Sequence, residues 1–593
     1  MSNPAISLVH GPNEPALSDL TIGQLADQQS AKYGDKDCII IGWNNTRLSY
    51  RELSDSSKVI ARGLLALGVQ NGDRIAILSG DDERFIQLFF AAARIGACLV
   101  IINKTYTVPE CLRALKHTEP VILFVSNVVD RRPTFPILEK LRQDHNRVKH
   151  IVMTRWDTLR ANNPPSTWDS ILSAADSISD SELDKRQALV DKHSTVNIQF
   201  TSGTTGSPKA SMLTHFNIAN NGFYMGHYLQ LVPEDVVCCG PPLFHCFGLV
   251  AGLLAAFTHG SSIIYSAPDF DAAAVVRMVL KERCTVLHGV PTMFTAVIKE
   301  LEKTGRSVNT IRKGFAAGTK VPRAMLLEMG EKLGFRHIAS PYGMTETAPT
   351  SFIVRVEDSL ERKLETVGTP LPHVSAKIVN PQNKIVPRGT RGEVCVAGWH
   401  LQQGYFKNPE KTAEVMIKDE DGTVWMHTGD EGVIDEHGYL SITGRIKDII
   451  IRGEEFHCRI RVNISFFKTH YRLLTFLIGG ENIYPVEIEE RLLHHPALSH
   501  ASIVGLQDPR YGESVNAFLE LRPDQTKPTL EEVKAWVRET LGRHKAPVRV
   551  FWVGNGESIT QYPVTGSGKI RKEVLREIGN KMISPSAALV SKL

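Results

Sequence analysis

Residues 201–211 read Thr-Ser-Gly-Thr-Thr-Gly-Ser-Pro-Lys-Ala-Ser and follow the extended apolar run Val196–Phe200. A strand that delivers a loop of hydroxyls and glycines with a lysine near its end is suited to holding a polyphosphate. Glycine lets backbone N–H groups close on anionic oxygens with no Cβ in the way, hydroxyls donate further hydrogen bonds, and Lys209 adds a mobile positive charge. Thr201, Ser202, Gly203, Thr204, Thr205, Gly206 and Lys209 are therefore candidate nucleotide-binding residues. The competing reading, a solvated linker, fits poorly with a preceding buried strand and a Pro208-Lys209 pair. The loop is not a Walker A sequence, because Gly206 is followed by Ser207 and Pro208 rather than by lysine and a hydroxyl residue. Phosphoryl transfer of the ATPase or kinase kind is disfavoured on that ground.

Further motifs follow downstream. Residues 341–347 read Pro-Tyr-Gly-Met-Thr-Glu-Thr, 428–430 Thr-Gly-Asp, 444–448 Gly-Arg-Ile-Lys-Asp and 563–570 Pro-Val-Thr-Gly-Ser-Gly-Lys-Ile. Singly each has a bland explanation: Thr-Gly-Asp is a common turn and Gly-Arg-Ile-Lys-Asp a solvated charge cluster. In this order and spacing they resemble the AMP-forming adenylate-forming superfamily, which includes acyl-CoA synthetases, 4-coumarate-CoA ligases, luciferases and peptide-synthetase adenylation domains. One departure is Ala210, where these proteins usually carry glycine.

The resemblance implies a role for each position. Tyr342 stacks on adenine, Thr345 touches the α-phosphate and Glu346 binds Mg²⁺; a carboxylate beside a triphosphate is repelled unless a hard cation lies between them. Asp430 accepts hydrogen bonds from the ribose hydroxyls with Arg445 on the same side, and Lys447 sits at the domain hinge. Lys569 is the adenylation lysine, holding substrate carboxylate and α-phosphate and stabilising the charge that grows as one attacks the other. Residues 315–320, Phe-Ala-Ala-Gly-Thr-Lys, resemble the strand beside the acyl pocket and adenine site, which assigns Ala316, Ala317 and Gly318 to the pocket and Gly318 and Thr319 to the nucleotide; Gly343 of the 341–347 motif is placed in the pocket as well.

Pro-Pro-Leu-Phe-His-Cys-Phe-Gly at 241–248 matches the stretch where acyl-CoA synthetases place a histidine at the acyl site. His245 then packs beside the substrate carboxylate or gates the acyl tunnel; the alternative is a core histidine satisfied by backbone. Amino-acid adenylation domains carry a nearby aspartate for the substrate ammonium, and no aspartate occurs between Cys239 and Thr258. An unpaired buried ammonium is prohibitive, so a plain carboxylic acid is expected. The flanks Asn197–Phe200, Thr214-His215 and Leu287–Phe294 look closest to medium-chain fatty acyl-CoA synthetases, and fungal peroxisomal acyl-CoA ligases of secondary-metabolite and toxin pathways share them. The expected reaction uses ATP, Mg²⁺ and coenzyme A: carboxylate and ATP give acyl-AMP and pyrophosphate, then the CoA thiol takes the acyl group. The alternatives are a ligase that loads a carrier protein and a catalytically dead nucleotide-binding paralogue.

The chain has 593 residues, 42% hydrophobic and 22% charged, with a net charge of +4, too slight for a nucleic-acid footprint. Its nine cysteines show no C-x-x-C pair and no zinc spacing, and read as reduced thiols of an intracellular protein. The N-terminus lacks a basic region and an apolar core, and the longest apolar stretch, around Phe247–Phe257, is too short to span a bilayer. The chain ends Ser591-Lys592-Leu593, which matches the peroxisomal address read by a soluble import receptor.

Helical periods at Leu53–Leu67 and Arg84–Ile95 alternate with apolar strands at Arg74–Leu78, Cys98–Ile102 and Val121–Phe124, and 367–442 is strand-rich. The polar run Asn162–Ser181 reads as a solvated connection. The expected fold class is α/β: a large N-terminal domain (1–446) of βα-wound sheets with a strand-rich subdomain, and a small mobile α+β C-terminal domain (447–593).

One interruption breaks the resemblance. The family pattern would run from Gly453 directly into Gly480-Glu481-Asn482, yet the 26 residues 454–479 intervene without helical or strand period. Gly453-Glu454 can be encoded with an internal GTGAG and Ile478-Gly479 with ATAGG, so a retained intron in the gene model would account for them, and its removal restores Gly-Gly-Glu-Asn in frame. In the family this segment faces the pantetheine tunnel during thioester formation, so the insert is expected to spare adenylation more than CoA transfer.

Overall fold

The computed structural model describes residues 5–143, 148–155, 166–201, 209–317, 321, 323–448, 450–452, 481–508, 512–566 and 568–583. The expectations for Ser202, Gly203, Thr204, Thr205, Gly206, Gly318, Thr319, the insert 454–479 and Ser591, Lys592 and Leu593 lie outside the described residues. The chain divides into two compact units. The first comprises Met1–Thr428, Val433–Ser441 and Gly566–Lys569, and the second Gly429–Gly432, Ile442–Thr565 and Ile570–Leu593.

Two large sheets organise the first unit. In the eight-stranded sheet, Arg74–Leu78 pairs in parallel with Cys98–Ile101 on one side and Ile122–Ser126 on the other. Thr195–Thr201 joins Cys98–Ile101 in parallel and turns back antiparallel onto Lys209–Thr214, with Gly404–Tyr405 at the edge. The seven-stranded sheet runs through the parallel strands His337–Ala339, Lys313–Phe315, Val286–His288, Val236–Cys239, Ser262–Tyr265 and Asp37–Ile41, and closes antiparallel on Thr46–Ser49.

Side-chain alternation assigns the faces of these strands. Ile75, Ile77, Leu99 and Ile101 share one core with Ile39, Ile41, Val237, Ile263 and the helices Tyr50–Ala66, Glu83–Arg94 and Phe247–Thr258. Their neighbours face outward: Ala76, Leu78, Val100 and Leu123 pack with Leu115 and Leu138, while Ile40, Cys238 and Ile264 pack with Met278, Phe294 and Met329. A layer of helices therefore lies between the two sheets, and each sheet is covered again on its far side. Both faces buried is the condition that makes these strands continuous apolar runs instead of alternating ones.

The helices start where their side chains satisfy the orphan N–H groups of the first turn. Ser49 and Glu52 form a reciprocal capping box for Tyr50–Ala66, and Asp82 accepts from Phe85 N–H at the head of Glu83–Arg94. Phe247–Leu254 is a buried π-helical stretch that continues as the α-helix Ala255–Thr258. No helix among the described residues is long and apolar enough to cross a membrane.

The stretch expected to be a solvated connection contains a packed element. Trp168–Ala174 is helical, Trp168 and Ile171 are buried, and the Trp168 ring meets Phe124 edge-on at 5.9 Å. A Cβ added at Gly63 would lie 2.2 Å from Ile171 O, so the helix Tyr50–Ala66 approaches this element backbone to backbone. Two apolar anchors three residues apart, i and i+3, suffice to dock one turn of helix. Serine- and aspartate-rich neighbours hide such a pair in the composition.

In the second unit, Leu498–Asp508 and Gly512–Leu521 form a long hairpin, Arg549–Val553 adds parallel to the latter, and Pro485–Leu493 and Leu530–Arg538 supply Ile488, Leu492, Val533 and Val537 to the core. Ile450–Arg452 pairs antiparallel with Glu481–Ile483, and Arg452 lies opposite Glu481. Removing 454–479 would thus leave Gly453-Gly480 as a two-residue connection, the length and composition a tight hairpin favours.

The variant lacking 454–479 should fold and be more stable. Shortening the connection from 28 residues to two is nearly four halvings of loop length, about 2 kcal/mol of closure entropy. Urea unfolding reads this, and paired assays should show acyl-CoA formation gaining more than pyrophosphate release. A deletion variant less stable than the full chain, or a mature transcript that retains these codons in an active enzyme, defeats the intron reading.

Candidate active site

Thr201 and Lys209 are the last residues paired on either side of the phosphate-loop candidate, so the hairpin that carries the loop is described although the loop is not. The Lys209 ammonium lies 4.8 Å from the centroid of the Tyr405 ring. Tyr405 is on the edge strand that pairs Ser211 with Tyr405 and Met212 with Gly404. Its hydroxyl donates to Glu346 Oε1 at 2.8 Å. Glu346 is 7% exposed in the short turn Thr345–Thr347, and its carbonyl accepts from Gln402 N–H at 2.8 Å. Ser211 Oγ donates to Gln402 Oε1. One strand edge therefore carries the end of the loop, the acid and the groups that hold both.

Burial, then the neighbouring Glu346 charge, pushes the Tyr405 hydroxyl well above its ordinary pKa, so it remains a donor. Tyr405 escaped the sequence reading; its only signal was Gly404-Tyr405 just ahead of the helix opened by Asn408-Pro409. A single carboxylate oriented by a neutral donor suits Mg²⁺, which takes one or two carboxylates and fills its remaining positions with phosphate oxygens and water.

His245 follows the turn Pro241–Phe244, with its N–H bonded to Pro242 O. Nδ1 accepts from Phe247 N–H at 3.1 Å, which places the proton of the neutral ring on Nε2. Burial, assisted by the Lys569 charge, pushes its pKa down to about 3. Next to it, Cys246 Sγ is 3.6 Å from Thr345 Oγ1, and burial pushes its thiol up to about 11. Lys569 and Glu346 both act on the Cys246 thiol electrostatically, so His245, Cys246, Thr345, Glu346 and Lys569 occupy one neighbourhood of the first unit. The His245 ring is bonded to backbone at Nδ1 and lies in the neighbourhood of Thr345, Glu346 and Lys569.

The pocket assignments divide. Ala317 belongs to the same apolar cluster as Phe244, Cys246 and Phe247, but Ala316 faces the other side of the strand and packs with Leu287, Phe294 and Met329. Ala316 and Ala317 directly follow the strand Lys313–Phe315, and their side chains go to different apolar clusters. Gly343 is exposed, and a Cβ there would lie 2.0 Å from Pro349 O, so its own hairpin requires the glycine. Tyr342 pairs opposite Phe352, with the rings 6.1 Å apart.

In the second unit, Arg445 Nε lies 3.0 Å from Asp430 Oδ1, which brings the two ribose candidates together. Lys447 is exposed in the turn Ile446–Asp448. The fold also gathers Glu393, Cys395 and His427, which no sequence spacing announced. His427 Nδ1 is 2.8 Å from Glu393 and 3.5 Å from Cys395 Sγ.

A family profile described as AMP-binding enzyme matches residues 26–406, and one described as AMP-binding enzyme C-terminal domain matches 487–569. The chain belongs to the AMP-binding, adenylate-forming enzymes and is an acyl-CoA ligase. It is 44% identical to the acyl-CoA ligase sidI of Aspergillus fumigatus, covering 99% of this chain and 96% of that one. It is 32% identical to the medium-chain acyl-CoA ligase ACSF2, mitochondrial, of Bos taurus, covering 95% and 88%. Among solved structures, ATP-bound MatB from Rhodopseudomonas palustris is 26% identical with a TM-score of 0.75, covering 95% of this chain and 100% of that one. ATP and CoA are substrates of such ligases.

Because its folded-state pKa is near 3, His245 should stay neutral from about pH 5 upward. Ring signals of ¹³C-labelled histidine, assigned by loss in His245→Gln, should not move between pH 5 and 9. A titration near 6.5 would show that the packing around this ring has been misread.

Proposed function

We propose that this ligase activates a plain carboxylic acid, medium-chain or closely related, on ATP with Mg²⁺ and transfers it to CoA in the peroxisome, within fatty-acid or secondary-metabolite metabolism. The observation that carries the reading is the Lys209–Tyr405–Glu346 arrangement on one strand edge, beside an apolar wall bearing a neutral His245. The carboxylate that the fold brings to that wall, Asp81, already has Lys104 as its counter-ion. A substrate ammonium would find no acid reserved for it there, which favours an uncharged acyl chain.

The chain's own residues then divide the work. Thr201 and Lys209, with Ser202, Gly203, Thr204, Thr205 and Gly206 between them, hold the phosphates, and Tyr342 and Thr319 frame the adenine. Asp430 takes the ribose hydroxyls while Arg445 keeps its carboxylate in place. Mg²⁺, when bound at Glu346, neutralises phosphate charge. Tyr405 Oη fixes the orientation of that carboxylate, and Thr345 and Lys569 stabilise charge on the α-phosphate as the acid attacks. His245 Nε2–H supplies a neutral donor at the acid end. Medium-chain acids enter from the printed name of the ACSF2 relative, and secondary metabolism from the fungal ligases sidI and cnsG.

The enzyme with MgATP and an acid should release AMP and pyrophosphate and, when CoA is added, a thioester detectable by mass. Tyr405→Phe removes one hydrogen bond to a charged group, so Mn²⁺ bound with a non-hydrolysable ATP analogue should be held about fivefold more weakly by paramagnetic resonance. ADP and orthophosphate as products would overturn the reaction, and unchanged Mn²⁺ affinity would overturn the cation site. For the location, a fluorescent fusion at the N-terminus should lose its punctate peroxisomal signal when Ser591–Leu593 are removed; an unaltered distribution refutes it.

A further inference from the structure

Four strands end close together in the first unit: Arg74–Leu78 and Cys98–Ile101 of one sheet, and Val236–Cys239 and Ser262–Tyr265 of the other. Just beyond their C-terminal ends lie Asp81, Lys104, Leu243 and the pair Pro268-Asp269. Lys104 is 6% exposed; its ammonium is 2.8 Å from Asp269 Oδ1, 3.8 Å from Asp81 Oδ2, and donates to Pro268 O at 2.9 Å. Asp81 Oδ1 accepts from Leu243 N–H at 2.8 Å, Asp81 N–H donates to Pro268 O, and its carbonyl accepts from Trp43 Nε1. Lys104 also lies 5.6 Å from the centroid of the Phe244 ring. The carbonyl of Lys104 is held by Arg132.

We infer that Asp81 and Lys104 are positioning residues that hold the Leu243-Phe244 turn, and through it His245, against the acid end of the site, and that they thereby set the selectivity for the acid. This rests on the reading that His245 faces the substrate acid. Three physical arguments carry it. A buried ion cluster adds little net stability over an apolar replacement, because desolvation offsets the attraction, so its usefulness here lies in geometry. Asp81 and Lys104 both touch the same turn, one by a charge-assisted hydrogen bond to Leu243 N–H and one over the Phe244 ring. That turn ends at His245 and Cys246, whose neighbours are Thr345, Glu346 and Lys569.

The seating extends to the segment that ends at Lys569. A Cβ at Gly566 would lie 2.6 Å from Thr105 Cγ2 and 3.0 Å from Asn103 Oδ1, the residues on either side of Lys104. The charges are consistent with a locked cluster. Burial raises Asp81 to about 6 against the opposing Lys104 charge, and the two carboxylates outweigh burial to leave Lys104 raised.

The test compares Asp81→Ala, Asp81→Asn and Lys104→Met by pyrophosphate release without CoA, over straight-chain acids of roughly four to eighteen carbons. Asparagine keeps an acceptor for Leu243 N–H and alanine does not. KM for the preferred acid should rise about tenfold in Asp81→Ala and about threefold or less in Asp81→Asn, with KM for ATP within about twofold of wild type in both. Chain-length preference should flatten in Asp81→Ala and in Lys104→Met. If Asp81→Ala does not fold, Lys104→Met is read in the same way, by its preference profile and its unchanged KM for ATP. An unchanged acid KM and profile in a folded variant overturns the inference, as does an equal rise in both KM values, which marks a general loosening. Failure of the underlying reading looks different: His245→Gln would then leave the acid KM and the chain-length profile at their wild-type values.

Discussion

Both faces of both large sheets are covered, and this constraint decides where the ligase can do chemistry. The apolar residues of these strands alternate between the core between the sheets and an outer core, as Ile75 and Ile77 against Ala76 and Leu78 show. Polar groups meant for a substrate can emerge only where strands stop. Thr201, Lys209, Tyr405, Asp81, Lys104 and Ala317 all lie at or just past a strand end. The site is thus a consequence of the layer architecture, and its residues come from distant parts of the chain because the strands that end there do.

Burial makes charge expensive, and several buried charges of the first unit occur in matched sets. Arg94 is fully buried and meets Asp27, Ser54, Ser57 and Gln187. Asp235 is shared by Arg312 and Lys313, and Arg155 reaches Asp82 and Glu83. An isolated buried charge would shift its pKa and neutralise instead, and His245 behaves that way. A neutral ring with its proton on Nε2 still donates a hydrogen bond, so losing the charge need not remove His245 from the chemistry.

Much of the fold was legible because its strands are apolar on both faces and its helices are amphipathic. Arg74–Leu78 matches its expected limits, and the helices near residues 50–66 and 83–94 fall within a few residues of theirs. What escaped depends on three dimensions. Composition labelled 162–181 as solvated, although Trp168 and Ile171 fill a gap beside Phe124. Ala316 and Ala317 looked alike as small residues, and only the fold separates one packed in the outer core from one in the inner layer. The absence of aspartate from 239–258 was a statement about the chain; in space Asp81 stands at Leu243, with Lys104 beside it. Tyr405 was invisible for the same reason: 59 residues separate it from Glu346, and an edge pairing brings them together.

The register around 454–479 bears on what that insert can contribute. Arg452 lies opposite Glu481, so the pairing of Ile450–Arg452 with Glu481–Ile483 is complete up to the residues bordering the connection. In a hairpin, register is set by the turn together with the side chains that must face the core. Ile450 and Ile483 are directly opposed, and both are fully buried among Ile488, Leu498 and Ile503. That core contact specifies the register whatever joins the strands. A connection 28 residues long adds closure entropy and no pairing information, whereas Gly453-Gly480 alone supplies the backbone freedom a two-residue turn demands. The register of Ile450–Arg452 on Glu481–Ile483 is therefore compatible with the shorter chain.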